Sequence, residues 1–387
     1  MNLATLRAAL VPVLVLPIAA CTANQTSKSP DPGTVLVSST DDGCELSTDG
    51  ARAGNLVFEV TNDGNQVTEF YLLAEDSSRV VGEVENIGPG LTRQLVLKAR
   101  PGRYRTACKP GMKGEGIRGE FTVSESGTGT GLSGREQALV AAASGHYTRY
   151  VRTESDALLD GTREFVRAYA DGRDARARHL YPRVRTHWER IEPVAESFGD
   201  LDPRMDAREA DLAEGEPWTG WHRVEKDLWP PKGSGYRQLN SAQRSAVTAR
   251  LLADTVDLHA RTQKLDFTED QIANGAKGLL DEVATGKVTG EEEIWSHTDL
   301  FDFQANVEGA RVAFAGLRPV LDEKDPALAK LIAQRFTTLQ RLLDRHRSSA
   351  GVVSYDSLST AQVKQLSDAV NALSEPLSRL TAAVVAS

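Results

Sequence analysis

The spacing of apolar residues divides the chain into two regions. Short runs of apolar and β-branched residues, separated by turn sequences rich in Gly, Pro and Asn, occur at 34–37, 55–60, 94–97 and 119–123. Strands this short and this closely spaced predict a β-sandwich over residues 33–125. Over residues 137–387 the apolar positions recur at helical spacing instead, which predicts an all-α helical bundle.

Local signals mark where the two regions meet and where helices begin. Residues 126–136 are rich in Gly, Ser and Thr, as is typical of a linker. Four sequences of the form Ser/Thr-x-x-Glu/Gln predict helix N-termini through capping boxes. They begin at Ser133, Thr268, Thr289 and Ser359.

The N-terminus predicts export. An apolar run at 8–20 follows Arg7 and is too short to span a bilayer, so residues 1–20 are interpreted as a signal peptide. Two alanines precede Cys21, as in a bacterial lipobox, in which the cysteine is lipidated; ordinary cleavage beside an unrelated cysteine is the alternative. The polar residues 21–32 would then form a tether. We expect a lipid-anchored protein on the extracytoplasmic face of the cell membrane, in the periplasm or at the cell surface.

Composition narrows the function without assigning it. Hydrophobic residues make up 40% of the chain and charged residues 26%, as in globular proteins. The net charge is −9 and there is no long basic run, so nucleic-acid binding is not expected.

The β region resembles a cupredoxin but lacks the ligands for blue copper. Residues 101–104, Pro-Gly-Arg-Tyr, lead towards Cys108 as they do near the end of a cupredoxin. A blue-copper site also needs two His, and the first His of this chain is His146. Cys44 and Cys108 could form a disulfide in an oxidising compartment. Alternatively, the two thiolates and a carboxylate, Glu69, Glu83 or Glu85, could hold copper or zinc, or oxidised iron less favourably.

His222 and Glu225 are the main candidate ligands of the helical region. Three residues apart on a helix, they share one face and could supply two ligands from one turn, as in di-iron bundles. An ordinary polar helix face is the alternative, because helices are rich in Glu.

Pairs of acidic residues repeat this spacing at Glu189/Glu192, Asp206/Glu209 and Asp299/Asp302. If some converge on His222, the site is rich in oxygen and suits iron better than soft copper(I). Arg190 and Arg208 could instead neutralise these acids as ion pairs. We expect Glu154, Glu192 and Asp206 as additional ligands. Glu154 lies on the first long helix, and the other two lie close in sequence to the motif.

Four segments carry a resemblance to a known family. They are residues 85–90, 187–193, 220–226 and 296–309. In these segments the chain resembles the EfeO family, the periplasmic or surface component of the Efe iron-uptake system. The resemblance implies a cupredoxin-like domain followed by an imelysin-like domain of the M75 class. It also implies a membrane iron permease and a haem peroxidase as partners, and iron, ferrous or ferric, as the bound metal.

Within this resemblance, the family's His-x-x-Glu falls on His222 and Glu225, and its cupredoxin cysteines fall on Cys44 and Cys108. Glu69 matches a proposed metal ligand of the cupredoxin-like domain. Binding is expected rather than proteolysis, because a His-Glu-x-x-His zinc peptidase needs a second His where this chain has Lys226. A metal-dependent M75-type peptidase and an envelope adaptor that binds no metal are the alternatives.

Overall fold

The computed structural model describes residues 33–77, 79–125, 133–212, 215–348 and 351–385. The predicted signal peptide, Cys21 and the tether lie outside these residues. Nine strands come first: β1 Thr34–Ser39, β2 Cys44–Leu46, β3 Gly50–Arg52, β4 Gly54–Asn62, β5 Thr68–Ala74, β6 Val80–Ile87, β7 Thr92–Ala99, β8 Gly102–Cys108 and β9 Ile117–Ser124.

The strands form two sheets, ordered β2-β1-β4-β7 and β3-β9-β8-β5-β6. Alternate residues of facing strands point inwards, and they bury one apolar core between the sheets. Phe58 lies at its centre, with ring centroids 5.0 Å from Phe70 and 5.2 Å from Phe121. The predicted sandwich is therefore confirmed, and each of the four predicted runs lies within a strand.

The helical region begins at Gly134, after the N-cap Ser133. Its helices are α1 Gly134–Ala170, α2 Asp174–Glu189, α3 Glu192–Glu196, α4 Asp202–Met205, α5 Gly220–Leu228, α6 Ser241–Thr262, α7 Glu269–Thr285, α8 Asp299–Lys324, α9 Pro326–Leu343, α10 Thr360–Leu377 and α11 Leu380–Val385. A short two-stranded ribbon follows α9, with β10 Arg347–Ser348 paired to β11 Gly351–Val352. The predicted capping boxes at Ser133, Thr268 and Ser359 are present.

Two apolar cores hold the helices together, one around α7 to α11 and one around α1, α2, α5 and α6. The strand β7 lies against α7. The backbone N–H of Lys98 donates to Asp270 (2.8 Å), and the amide of Asn274 donates to the carbonyl of Val96 (2.9 Å). Over the described part of the chain, every helix is too short or too polar to cross a bilayer.

Candidate metal site in the helical domain

The helix α5 carries the His-x-x-Glu motif and begins at Gly220, whose φ is +86°. A Cβ at this position would lie 2.1 Å from the carbonyl oxygen of Met205, so only glycine fits. This close approach packs the start of α5 against α4. It places His222 and Glu225 on the inward face, where neither is exposed.

Both ring nitrogens of His222 face carboxylates. Nδ1 lies 3.2 Å from Glu225 Oε2 and 3.9 Å from Glu293 Oε1. Nε2 lies 3.5 Å from Asp206 Oδ1 and 3.4 Å from Glu292 Oε1. The one-face prediction for His222 and Glu225 is thus confirmed, and the ring joins two groups of acids.

We call the surroundings of this ring the His222 pocket. Its acidic members come from α2, α3, α5, α8, the residue after α4 and the turn that precedes α8. They are Glu189, Glu192, Asp206, Glu225, Glu292, Glu293, Asp299 and Asp302. Three groups of these residues could each hold a metal ion, because the possible ligand atoms within each group lie within 4.8 Å of one another. The groups are Asp206/His222/Glu292, His222/Glu225/Glu293 and Glu189/Glu192/Asp206/Glu292.

Two buried cations offset part of this negative charge. Arg185 is unexposed and pairs with Asp206, with Glu189 at 2.5 Å and with Glu293 at 2.7 Å. The ammonium of Lys287 lies 2.6 Å from Glu189 and 2.7 Å from Glu192. Arg208, one-third exposed, adds a weaker contact with Glu292 at 3.9 Å. Eight carboxylates against these cations still leave a negative excess, which a buried pocket must meet with protons or another cation.

The pKa values show the same imbalance. Burial and the neighbouring Glu225 raise the pKa of Glu293 well above its usual range, and burial does the same for Asp302. Burial and Arg185 lower the pKa of His222, but Glu225, Glu292 and Asp206 outweigh them and raise it to about 10. Protons therefore balance part of the charge at neutral pH.

Several polar atoms of the pocket have no hydrogen-bond partner within the described chain: His222 Nε2, both carboxylate oxygens of Asp302 and Asp299 Oδ2. All three residues have no exposed surface. Buried polar groups are normally satisfied, so unpartnered ones need an explanation. One nitrogen among many carboxylate oxygens fits a hard or borderline cation such as iron.

The predicted additional ligands have different outcomes. Asp206 and Glu192 line the His222 pocket. The prediction for Glu154 is wrong: its carboxylate lies 2.6 Å from His187 Nδ1 and 3.3 Å from Arg190, away from the converging groups. Arg185 and Glu189 of α2 point into the His222 pocket. His187 and Arg190, at the end of the same helix, point to another side, and Glu154 of α1 contacts them there.

Sequence reasoning missed Glu292 and Glu293 as residues of the His222 pocket. The predicted capping box from Thr289 to Glu292 is wrong. Gly290 instead adopts a left-handed conformation after a short 3₁₀ turn, and the chain then turns both glutamates inwards. The triple glutamate at 291–293 was the available signal. Arg208 and Arg190 pair mainly elsewhere, and Arg185 and Lys287 are the neutralising cations.

The cupredoxin-like region also requires a correction. Cys44 and Cys108 form a disulfide that links the two sheets, with Cα atoms 5.6 Å apart. A sulfur in a disulfide is not a thiolate ligand, so their assignment as metal ligands is wrong in this structure. The alternative that the sequence offered, a disulfide between these cysteines, is confirmed. Without thiolates, copper or zinc loses the soft ligands that favoured it here.

Glu69 remains a predicted ligand. It is buried, and its Oε2 accepts a 2.7 Å hydrogen bond from the Tyr71 hydroxyl. The same hydroxyl lies 3.3 Å from Glu85. Burial raises the pKa of Glu69, and it raises that of Glu83 to about 8. The converging ligand sets found among the described residues lie in the helical region and do not include these acids.

Comparisons with known proteins agree with this architecture. The imelysin (peptidase M75) family model matches residues 143–380, and a cupredoxin-like domain model matches residues 12–123. An EfeM/EfeO family lipoprotein of Staphylococcus aureus (strain NCTC 8325 / PS 47) is 43% identical over 238 residues, which cover 60% of this chain and 82% of that protein.

A lipoprotein of the same family from Staphylococcus haemolyticus (strain JCSC1435) is 42% identical over 251 residues, which cover 64% of this chain and 85% of that protein. The imelysin match spans more than half of the chain, and both relatives are matched over most of their length. The chain therefore belongs to the EfeM/EfeO family of imelysin-domain proteins.

Proposed function

We propose that this protein binds iron in the His222 pocket, outside the cytoplasmic membrane, and passes it to a membrane iron permease. The observation that carries the proposal is an unexposed imidazole with four carboxylates within 4 Å, in a pocket whose eight carboxylates face two buried permanent cations and one at the rim. A pocket with this excess of charge gains more from a di- or trivalent cation than from protons alone.

Iron is the proposed cargo for two reasons. Carboxylate oxygens with one imidazole nitrogen suit ferrous or ferric iron, whereas copper(I) prefers sulfur. Membership of the EfeM/EfeO family supports a role in iron uptake. The haem peroxidase of the Efe system would be a further partner.

Iron binding is tested by equilibrium dialysis of the mature chain with ferrous iron under anaerobic conditions and with ferric citrate. His222→Ala should lower the iron affinity at least about tenfold, since it removes the nitrogen ligand. His259→Ala is the matched control, because His259 is partly exposed and pairs with Asp156. Equal binding by wild type and His222→Ala would place the iron elsewhere, with the glutamates around Tyr71 as the next candidate.

Lipidation of Cys21 would hold the protein at the membrane surface, where a permease could receive the iron. Support comes from the two alanines before Cys21 and from the relatives, which are described as lipoproteins. Iron transfer is tested with proteoliposomes that contain the permease: iron-loaded wild type should drive uptake, and His222→Ala loaded at the same concentration should not.

We further propose that the protein is not a peptidase, despite the M75 class. Position 226, where a His-Glu-x-x-His zinc peptidase has its second His, is Lys226, and its ammonium pairs with Glu209. The assay is hydrolysis of casein by the zinc- or iron-loaded protein, with a chelator control. Cleavage that the chelator abolishes and that His222→Ala lacks would overturn this part of the proposal.

A further inference from the structure

The two nitrogens of His222 stand in different environments, and this difference divides the roles of the surrounding acids. We infer that the metal ion binds on the Nε2 side, with Asp206 and Glu292, and that Glu225 is a positioning residue that orients the ring rather than a ligand. This inference rests on the proposed function, which assigns a metal to the His222 pocket but not to a side of the ring.

Glu225 makes three polar contacts that hold it beside Nδ1 of His222. Its Oε1 accepts from the backbone N–H groups of Trp295 (3.0 Å) and Ser296 (2.7 Å). Its Oε2 lies 3.2 Å from His222 Nδ1, within hydrogen-bonding distance. A metal-binding His commonly donates its second N–H to a carboxylate, which fixes the ring and leaves the other nitrogen free for the metal. Glu225 occupies that position.

The Nε2 side has the geometry of a ligand set. Nε2 has no hydrogen-bond partner within the described chain, and it lies 3.5 Å from Asp206 Oδ1 and 3.4 Å from Glu292 Oε1. Two ligands bonded to one ion at about 2.1 Å lie roughly 3.0–3.4 Å apart at ordinary bond angles. On the Nδ1 side, the second acid, Glu293, is 3.9 Å away.

Access to solvent favours the same side. The side chains of Asp206 and Glu292 are 8% and 10% exposed, whereas those of Glu225 and Glu293 are fully buried. An ion that enters from water therefore meets the Nε2 side first. Asp206 also accepts hydrogen bonds from Arg185 at Oδ1 and from Trp188 Nε1 at Oδ2 (2.7 Å). A carboxylate oxygen has two lone pairs, so Oδ1 can accept from Arg185 while it binds a metal.

Adjacent glutamates provide a matched pair of variants. Glu292→Gln and Glu293→Gln each replace one carboxyl group of the pocket by an amide of the same size, one on each side of the ring. If the metal binds at Nε2, Glu292→Gln should weaken binding at least about 100-fold and Glu293→Gln less than about tenfold. Thermal melting without metal checks that both variants fold.

A role for Glu225 in positioning predicts a specific pattern in Glu225→Gln. The amide can still accept from the two backbone N–H groups, so the loop stays in place, but it no longer accepts from Nδ1–H. Affinity should fall roughly 10–100-fold. The metal should nevertheless stay at Nε2 with an unchanged coordination number, as measured by X-ray absorption at the metal edge. A direct ligand would instead be lost from the coordination shell.

The decisive measurement is a crystal structure of the wild-type protein loaded with iron and, separately, with zinc. A metal within about 2.0–2.2 Å of Nε2, Asp206 and Glu292 supports the inference; a metal bound to Nδ1 and Glu225 overturns it while leaving the proposed function intact. Zinc at Nε2 without any bound iron would support the inference and refute the iron function. If neither metal binds in the pocket, both are wrong.

Discussion

Arg185 holds together most of the acids that would otherwise repel one another in the His222 pocket. It is unexposed and within ion-pair distance of Asp206, Glu189 and Glu293, with Glu292 at 3.3 Å. Because a buried carboxylate without a partner is costly, Arg185 allows the pocket to exist before a metal arrives.

Replacing this guanidinium should therefore destabilise the metal-free protein. We expect Arg185→Gln to lower the free energy of unfolding by about 3–5 kcal/mol near pH 7.5, because it strands several buried carboxylates. The loss should shrink at pH 5, where the acids are more readily protonated, and it should shrink when metal is bound. Urea denaturation followed by circular dichroism measures this change.

Arg208→Gln is the control for that measurement. Arg208 is one-third exposed and pairs mainly with Asp211, so its removal should cost about 0–1 kcal/mol. If Arg185→Gln is no more destabilising than Arg208→Gln, Arg185 does not balance the pocket.

The short helix α5 shows which parts of the candidate site could be predicted. His222 and Glu225 share one turn, so their spacing alone places them on one face. Glu292 and Glu293 lie in a turn some 70 residues away, and only tertiary packing brings them to the same ring. Glu154 illustrates the converse error: a long helix has several faces, and sequence does not say which one meets the motif.

The packing of α5 depends on Gly220. Gly220→Ala should destabilise the protein and weaken metal binding, because a Cβ would clash with the Met205 carbonyl and displace His222 two residues later. Gly233→Ala is the control. Gly233 also has a positive φ, +74°, but it has open space around its Cα, so it should show only the conformational cost of about 1–2 kcal/mol.

Thermal melting of both variants measures the backbone strain that each substitution causes. Equilibrium dialysis with iron measures whether His222 has been displaced. Equal effects of the two substitutions on iron affinity would mean that the contact between α4 and α5 does not position His222. A larger loss of affinity in Gly220→Ala alone would support that role.

In the molecule as a whole, protonation of the pocket links stability to pH. A group with a higher pKa in the folded chain than in the unfolded chain stabilises the fold at low pH, and this contribution is lost as the pH rises through the folded value. His222 moves from 6.5 to about 10, and Glu293 and Asp302 are also raised. The metal-free protein should therefore melt at progressively lower temperature from about pH 6.5 to 9.

Metal binding should have the opposite dependence on pH. The ion needs neutral His222 and ionised acids, so binding releases protons and the affinity should rise with pH, by up to about tenfold per unit for each proton released. Calorimetric titration with zinc, which avoids iron hydrolysis, in buffers of different ionisation enthalpy counts these protons. An affinity that does not change between pH 6 and 8.5 would contradict this assignment of protons.

The location of the whole protein depends on Cys21, which lies outside the described residues. Wild type expressed in a lipoprotein-processing bacterium should enter the detergent phase on phase separation, whereas Cys21→Ala should remain in the aqueous phase, because the acyl chains supply the membrane affinity. Equal partitioning of the two proteins would exclude lipidation at this residue.

The overall architecture was more predictable than the pocket. The change from period-2 strand patterns to helical spacing is a property of neighbouring residues. The disulfide between Cys44 and Cys108 was one of two alternatives, because sequence alone does not say whether paired thiols bind metal or each other. The four predicted runs left out five strands: β2, β3, β5, β6 and β8. Of these, β5 is almost wholly buried. A run buried on both faces lacks the alternation that identifies a strand.

The central claim is that iron binds beside His222, and anomalous scattering tests it most directly. Diffraction from iron-loaded crystals, collected above and below the iron absorption edge, locates every bound iron without reference to the proposed ligands. The account predicts a dominant peak within about 2.0–2.2 Å of a His222 ring nitrogen, taking zinc–ligand distances as a guide, and its loss in His222→Ala. A dominant peak among Glu69, Glu83 and Glu85, or none in the His222 pocket, would contradict it.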